Sequence, residues 1–90
     1  MRADRKKVEP LLKTARGQVD AVLKMVADDR YCIEIINQIL ACEALLKKAR
    51  KIVLKGHIDG CVQQAISSDN EQDRTEKLEE IIKLLEKMDK

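Results

Sequence analysis

Apolar residues recur at intervals of three and four along most of the chain, which is the repeat of an α-helix rather than of a β-strand. The polar run 28–30 interrupts the pattern once, and residues 67–70 (Ser-Ser-Asp-Asn) interrupt it again. Asp73, followed three residues later by Glu76, resembles a capping box. The pattern predicts a single all-α domain over residues 1–90. Its three helices are expected over residues 4–27, 31–65 and 74–88.

The second predicted helix is longer and more apolar than the first helix can cover. At 1.5 Å per residue it would be about 50 Å long. Several of its apolar side chains lie off the main stripe: Ile33, Ile36, Leu40, Val53 and Leu54. A chain of this size also buries too little surface to be very stable by itself. We therefore expect an obligate oligomer in which the uncovered surface meets another chain.

The composition agrees with a helical fold and excludes several classes of protein. Charged residues make up 38% of the chain and aromatic residues 1%, with three Gly and one Pro, which argues against a β-sandwich or barrel. No apolar run approaches the roughly 18 residues of a transmembrane helix, and the charged start does not resemble a signal peptide. We expect a cytoplasmic protein without a membrane partner. Catalysis is not expected, because no nucleophile triad or phosphate-binding loop is present.

The net charge of +2 conceals two basic segments and an acidic tail. Residues 1–16 carry a net charge of +4, residues 44–58 carry +5, and the part from Asp59 onward carries −4. Such runs are usually solvated helix faces, but two basic blocks on adjacent helices, repeated in each subunit, would also suit phosphate. Both interpretations stay open, since no standard DNA-binding motif is present. The candidate DNA contacts are Arg2, Arg5, Lys6, Lys13, Arg16, Lys47, Lys48 and Lys51.

Three residues could form a metal site, provided that two chains contribute to it. His57 and Cys61 are four residues apart, so on a helix they point the same way and can share one ion. Cys32 lies 29 residues before Cys61, about 40 Å away along a continuous helix. In an antiparallel dimer with two-fold symmetry, Cys32 of one chain would approach His57 and Cys61 of the other.

Two thiolates and one imidazole form a sulfur-rich site with few ligands. Soft ligands of this kind select Cu(I), whereas structural Zn(II) normally takes four ligands. Without a metal, Cys32 and Cys61 could instead be a reactive pair that is joined by oxidation or by sulfur atoms. Cys42 falls on the apolar stripe of the second helix and is interpreted as a small buried hydrophobic residue.

Four short segments together resemble the copper-sensitive operon repressor (CsoR) family. They are residues 16–19 (Arg-Gly-Gln-Val), 31–32 (Tyr-Cys), 38–39 (Gln-Ile) and 56–62 (Gly-His-Ile-Asp-Gly-Cys-Val). The resemblance extends over nearly the whole chain. It implies an all-α dimer of antiparallel hairpins, paired into a flat tetramer. It also implies a repressor that leaves its operator DNA when a site between subunits is filled.

The resemblance assigns roles to particular residues. Cys32, His57 and Cys61 match the family's Cu(I) ligands, and Tyr31 matches a tyrosine beside the first cysteine. Glu80 matches a carboxylate that hydrogen-bonds to the ligand histidine and to that tyrosine. Such a partner would orient the imidazole and could couple the third helix to the site.

One departure from the family pattern lies early in the first helix. Many members carry an arginine where this chain has Leu11, preceded by Pro10, so that DNA contact is missing. Lys13 and Arg16 remain, and Lys48 falls at a second basic position of the family.

Two alternative functions stay open at this point. In the first, a persulfide or polysulfide links Cys32 and Cys61 of two chains in a repressor of the same family. Members that sense persulfides typically lack the histidine, so His57 favours copper. In the second, the protein buffers copper or acts as a helical adaptor and has no DNA role.

Overall fold

The fold consists of helices throughout the part of the chain that the structure describes. The computed structural model describes residues 1–67 and 70–88, and of residues 62 and 65–67 it describes the backbone alone. These ranges contain no strand and three helices, α1 (Arg5–Ala27), α2 (Cys32–Ser67) and α3 (Glu71–Met88). The predicted all-α class is confirmed. Of the predicted 67–70 loop, Ser67 belongs to α2, and Ser68 and Asp69 lie outside the described residues.

Local hydrogen bonds fix both ends of α1. The carboxylate of Asp4 accepts a hydrogen bond of 2.9 Å from the backbone N–H of Lys6, which caps the first turn. At the other end, the N–H of Arg30 donates to the carbonyl of Met25 at 3.0 Å. Asp29 sits between them with φ of 54°, the left-handed conformation that closes a Schellman motif. This turn reverses the chain and leads directly into α2.

Small side chains hold α1 and α2 together as an antiparallel hairpin. The buried apolar residues of the described chain are Val8, Ala15, Cys42 and Ala49. The Cys42 thiol donates a hydrogen bond to the carbonyl of Ala15 at 3.7 Å. Alanine and cysteine at these positions let the two backbones approach closely, as in the seam of a coiled coil. The prediction that Cys42 is a buried small residue is confirmed.

The third helix begins three residues earlier than predicted. The side-chain oxygen of Asn70 accepts hydrogen bonds from the N–H groups of Gln72 at 3.0 Å and of Asp73 at 3.3 Å. Asn70 is therefore the N-cap, and the capping box predicted at Asp73 is wrong. Asp73 lies inside the first turn, where its carboxylate pairs with Lys77 at 3.3 Å. The prediction failed because it placed Asn70 in the loop.

The described chain is too extended to cover its own apolar side chains. Its radius of gyration is 17.9 Å, whereas a compact chain of this length has about 12 Å. Val53 and Leu54 are half-buried rather than uncovered, because they line a groove that α1 and α3 also border. The exposed large apolar residues of the helices include Leu12, Val19, Leu23, Val26, Ile33, Ile36, Ile39, Leu40, Leu46, Leu78, Ile82 and Leu85.

The length and the apolar content of each helix decide whether it could cross a membrane. Within residues 1–67 and 70–88, no helix is both long enough and apolar enough to cross a bilayer. Even α2, with 36 residues, carries charged residues throughout most of its length.

Candidate functional site

His57 and Cys61 meet on one face of α2. The Cys61 Sγ atom lies 3.5 Å from Nε2 of His57, in a thiol–imidazole contact whose direction depends on the histidine tautomer. A metal ion about 2.3 Å from a thiolate and about 2.0 Å from an imidazole holds those two atoms about 3.5–3.7 Å apart. The separation of these two atoms is therefore the one expected for two ligands of one metal ion.

The third predicted ligand lies at the opposite end of the same helix. Cys32 is the first residue of α2 and is exposed. At the rise of an α-helix, 29 residues place it about 44 Å from Cys61. Among the described residues, no group of three His, Cys, Asp or Glu side chains could hold a metal ion. The structure thus brings two of the three predicted ligands together, and one chain alone does not complete the set.

Glu80 and His57 line the same groove between α2 and α3. The groove has a volume of about 330 Å³ and is also bordered by Lys83, Leu84 and Lys87. Tyr31, which the resemblance links to Glu80, directly precedes the far end of α2 and has 70% of its surface exposed. The structure therefore places Glu80 and His57 on one groove, whereas Tyr31 of the same chain is remote from it.

A polar contact joins the first half of α3 to α2. The Lys77 ammonium donates a hydrogen bond to the side-chain oxygen of Gln64. Elsewhere α3 touches α2 sparsely, and it leaves Leu78, Ile82 and Leu85 exposed. The presence of Glu80 in the groove that His57 lines therefore depends on a lightly attached helix.

The hairpin places the two basic segments side by side. Ala15 lies against Cys42, and Ala3 lies close to Gly56, so residues 1–16 run antiparallel along the 44–58 segment. Two of the eight candidate DNA contacts form ion pairs with Glu9, Arg5 at 3.4 Å and Lys13 at 3.1 Å. All eight are exposed: Arg2, Arg5, Lys6, Lys13, Arg16, Lys47, Lys48 and Lys51.

Leu11, which stands where many family members carry an arginine, is half-buried. It lies three residues after Val8 and four before Ala15, and both of these are buried against α2. Position 11 therefore belongs to the packed side of α1. Lys13 and Arg16 are exposed on the same helix and remain available to a ligand.

Sequence reasoning missed the roles of Gly56 and Gly60. The structure places Ala3 against Gly56 and the Arg2 side chain against Gly60. Each glycine directly precedes a candidate ligand, His57 or Cys61. The available signal was the pair of glycines four residues apart inside a long helix, since that spacing puts both on one helix face.

Comparisons with known proteins identify the family of this chain. A family described as "Metal-sensitive transcriptional repressor" matches residues 4–87. The copper-sensing transcriptional repressor CsoR of Bacillus subtilis (strain 168) is 42% identical over 69 residues, which cover 76% of this chain and 68% of that protein. The protein of the same description from Mycobacterium tuberculosis (strain H37Rv) is 32% identical over 72 residues. That match covers 80% of this chain but spans only 60% of the mycobacterial protein.

Solved structures share the fold. The crystal structure of the copper-sensing repressor CsoR with Cu(I) from Geobacillus thermodenitrificans NG80-2 matches with a TM-score of 0.82 and 35% identity, over 96% of this chain and 86% of that one. The nickel-responsive transcriptional regulator InrS matches with a TM-score of 0.79 over 92% of this chain and 93% of that one. Its 23% identity makes it evidence for the fold alone. The chain therefore belongs to the CsoR family of metal-sensitive transcriptional repressors.

Proposed function

We propose that this protein is a transcriptional repressor that binds operator DNA in its metal-free, reduced state and leaves the DNA when it binds Cu(I). Cys32 of one chain, with His57 and Cys61 of a second copy, would hold the ion. The observation that carries the proposal is the 3.5 Å contact between Cys61 Sγ and His57 Nε2. Family membership supports the repressor role, since relatives are described as copper-sensing transcriptional repressors.

The chemistry of the three ligands favours Cu(I). Thiolates are soft donors that select Cu(I), and a set of two sulfurs and one nitrogen leaves Zn(II) short of its usual four ligands. The imidazole also separates this proposal from persulfide sensing, which needs two thiols and no histidine. The contact between His57 and Cys61 supports a ligand role for both residues.

The proposed site requires an antiparallel dimer, in which the start of one α2 lies beside the end of the other. The exposed apolar residues of α1 and α2 supply a surface for such a dimer, because burying them removes apolar area from water. We further propose that two dimers form a flat tetramer, which would repeat the basic surface of each hairpin.

Glu80 is proposed to accept a hydrogen bond from the imidazole nitrogen of His57 that does not bind the metal. The two residues already line one groove, and a ligand histidine usually has such a partner. Tyr31 would reach this groove from the second copy, beside Cys32. In this way the lightly attached α3 would respond to the state of the site.

Thermodynamic linkage sets the form of the response. If Cu(I) releases the protein from DNA, Cu(I) must bind the DNA-free form more tightly, and DNA must weaken Cu(I) binding by the same factor. A coupling free energy of about 1–3 kcal/mol would be ordinary for such a regulator.

The test is fluorescence anisotropy with labelled DNA from the promoter upstream of the protein's own gene. The metal-free protein should bind with an affinity that falls steeply with salt, because Lys and Arg contacts to phosphate release counterions. One equivalent of Cu(I) per chain should weaken binding in the wild type and have little effect on His57→Ala. Unchanged operator affinity after Cu(I) addition would contradict the copper mechanism.

Two further outcomes identify the alternatives. Release of both wild type and His57→Ala by a polysulfide donor, with Cys32–Cys61 crosslinks between chains in mass spectra, would favour persulfide sensing. Absence of DNA binding at low salt would favour a copper-buffering or adaptor protein.

A further inference from the structure

The leading segment, residues 1–4, lies across α2 in a notch formed by Gly56 and Gly60. A Cβ atom placed on Gly56 would stand 2.6 Å from the Cα atom of Ala3 and 2.9 Å from its nitrogen, closer than unbonded atoms approach. Gly60 is buried, and a Cβ atom there would overlap the side chain of Arg2. The leading segment therefore occupies the space that larger side chains at these two positions would fill.

Gly17, the remaining glycine of the chain, provides a contrast. A Cβ atom on Gly17 would meet nothing within 4 Å. Glycine inside a helix costs about 1 kcal/mol relative to alanine. At Gly56 and Gly60 this cost accompanies close packing of the leading segment, whereas among the described residues nothing packs against Gly17.

The seated segment carries one of the candidate DNA contacts. Arg2 lies beside Gly60, and Asp4 caps the helix that presents Arg5 and Lys6. A free segment would lose about 1–2 kcal/mol of backbone entropy for each residue that DNA binding ordered. Seating the segment on α2 orders it before DNA arrives.

We propose that Gly56 and Gly60 are positioning residues for DNA binding. They seat the leading segment so that Arg2 is held on the basic surface of the hairpin, ready to contact a phosphate. This inference rests on the proposed repressor function. It goes further by assigning a role in DNA affinity to two residues that carry no charge and touch no DNA themselves.

The test compares Gly56→Ala, Arg2→Ala and the double variant in the full chain. Gly56→Ala should displace Ala3 and remove the Arg2 contact. For each chain that contacts DNA, operator affinity should then fall about fivefold at 0.15 M salt. The slope of log binding constant against log salt concentration should become shallower by roughly 0.9. Arg2→Ala should have the same effect, and the double variant should lose no more than either single variant. Gly17→Ala is the matched control and should bind DNA like the wild type.

The inference would be overturned if the affinity losses of the two single variants added up in the double variant. It would also be overturned if Gly56→Ala bound DNA with wild-type affinity. Thermal melts followed by circular dichroism check that each variant folds. If Gly56→Ala does not fold, Gly60→Ala replaces it under the same criteria, because the atoms nearest to its new methyl group belong to the flexible Arg2 side chain.

A measurement without DNA separates this inference from the proposed function. In the wild type, nuclear Overhauser contacts should join the Ala3 methyl group to the α-protons of Gly56, and Gly17→Ala should keep them. If the wild type does not show these contacts, the packing of Ala3 against Gly56 is contradicted. A wild-type chain that shows the contacts but binds no DNA at low salt would contradict the repressor function. The leading segment would then pack on Gly56 and Gly60 without a role in DNA binding.

Discussion

The two ends of α2 differ in how much of their surroundings a single chain supplies. At the end of the helix, His57 touches Cys61 at 3.5 Å, the leading segment covers the neighbouring glycines, and α3 adds Glu80. At the start, Cys32 is exposed and follows a tight turn. The start of α2 therefore offers one thiol as a metal ligand, whereas its end offers the side chains of His57 and Cys61, which are already in contact.

This difference explains why the proposed site would need two copies of the chain. A rigid helix keeps Cys32 about 44 Å from Cys61, so bending cannot bring them together. The exposed apolar residues on both helices of the hairpin give a physical reason for two copies to pair. An antiparallel dimer would then place Cys32 of each chain beside His57 and Cys61 of the other chain.

The largest expected effect is the loss of either thiol of the proposed site. Cys32→Ala and Cys61→Ala should each weaken Cu(I) binding by more than the roughly 10–100-fold that loss of an outer-shell partner causes. The two losses should be similar, because each thiol is one ligand of the same ion. Competition with a chromophoric Cu(I) chelator measures the affinities.

Cys42→Ala is the matched control for these variants. Its thiol is buried in the hairpin and donates to the carbonyl of Ala15. Cu(I) affinity should therefore be unchanged, while the free energy of unfolding falls by about 1 kcal/mol as a hydrogen bond and some packing are lost. A large loss of Cu(I) affinity in Cys42→Ala would contradict the assignment of ligands to the two ends of α2.

A smaller effect is expected where α3 begins, beyond the end of α2. Asn70→Ala removes the cap that accepts hydrogen bonds from Gln72 and Asp73, which should destabilise α3 by about 1 kcal/mol. Amide hydrogen exchange in α3 should accelerate while exchange in the hairpin stays the same. Thr75→Ala is the control, since its hydroxyl only donates back to the carbonyl of Glu71 within the helix. Equal acceleration in both variants would show that Asn70 is not the cap.

The smallest effect is expected at the turn before Cys32. Asp29 has φ of 54°, a conformation that glycine adopts without the steric cost that a Cβ atom brings. Asp29→Gly should raise the free energy of unfolding by about 0.5 kcal/mol, because the relief of strain exceeds the added entropy of the unfolded chain. Asp28→Gly should give no gain, because φ of Asp28 is −84°. Denaturant unfolding measures both, and a gain in Asp28→Gly alone would contradict the turn geometry.

Periodicity was sufficient to predict the helices, and helical spacing was sufficient to predict that His57 and Cys61 meet. Both depend on local backbone geometry, which the order of residues dictates directly. The start of α3 was misplaced because Asn70 was assigned to the loop, whereas it caps the helix in place of Asp73. The packing of Ala3 against Gly56 could not be predicted, because it depends on how two parts of the chain that are distant in sequence come together. The expectation that Glu80 and His57 share one site came from the family resemblance and not from any spacing.

The most direct test of the central claim mixes two defective chains. Cys32→Ala keeps His57 and Cys61, and a His57→Ala/Cys61→Ala chain keeps Cys32. If the site lies between antiparallel chains, each variant alone lacks tight Cu(I) binding, and each mixed dimer regains one intact site. Refolding the two together and titrating with Cu(I) against a competing chelator should therefore restore tight binding. A mixture that forms dimers yet binds Cu(I) no better than its parent variants would contradict the account.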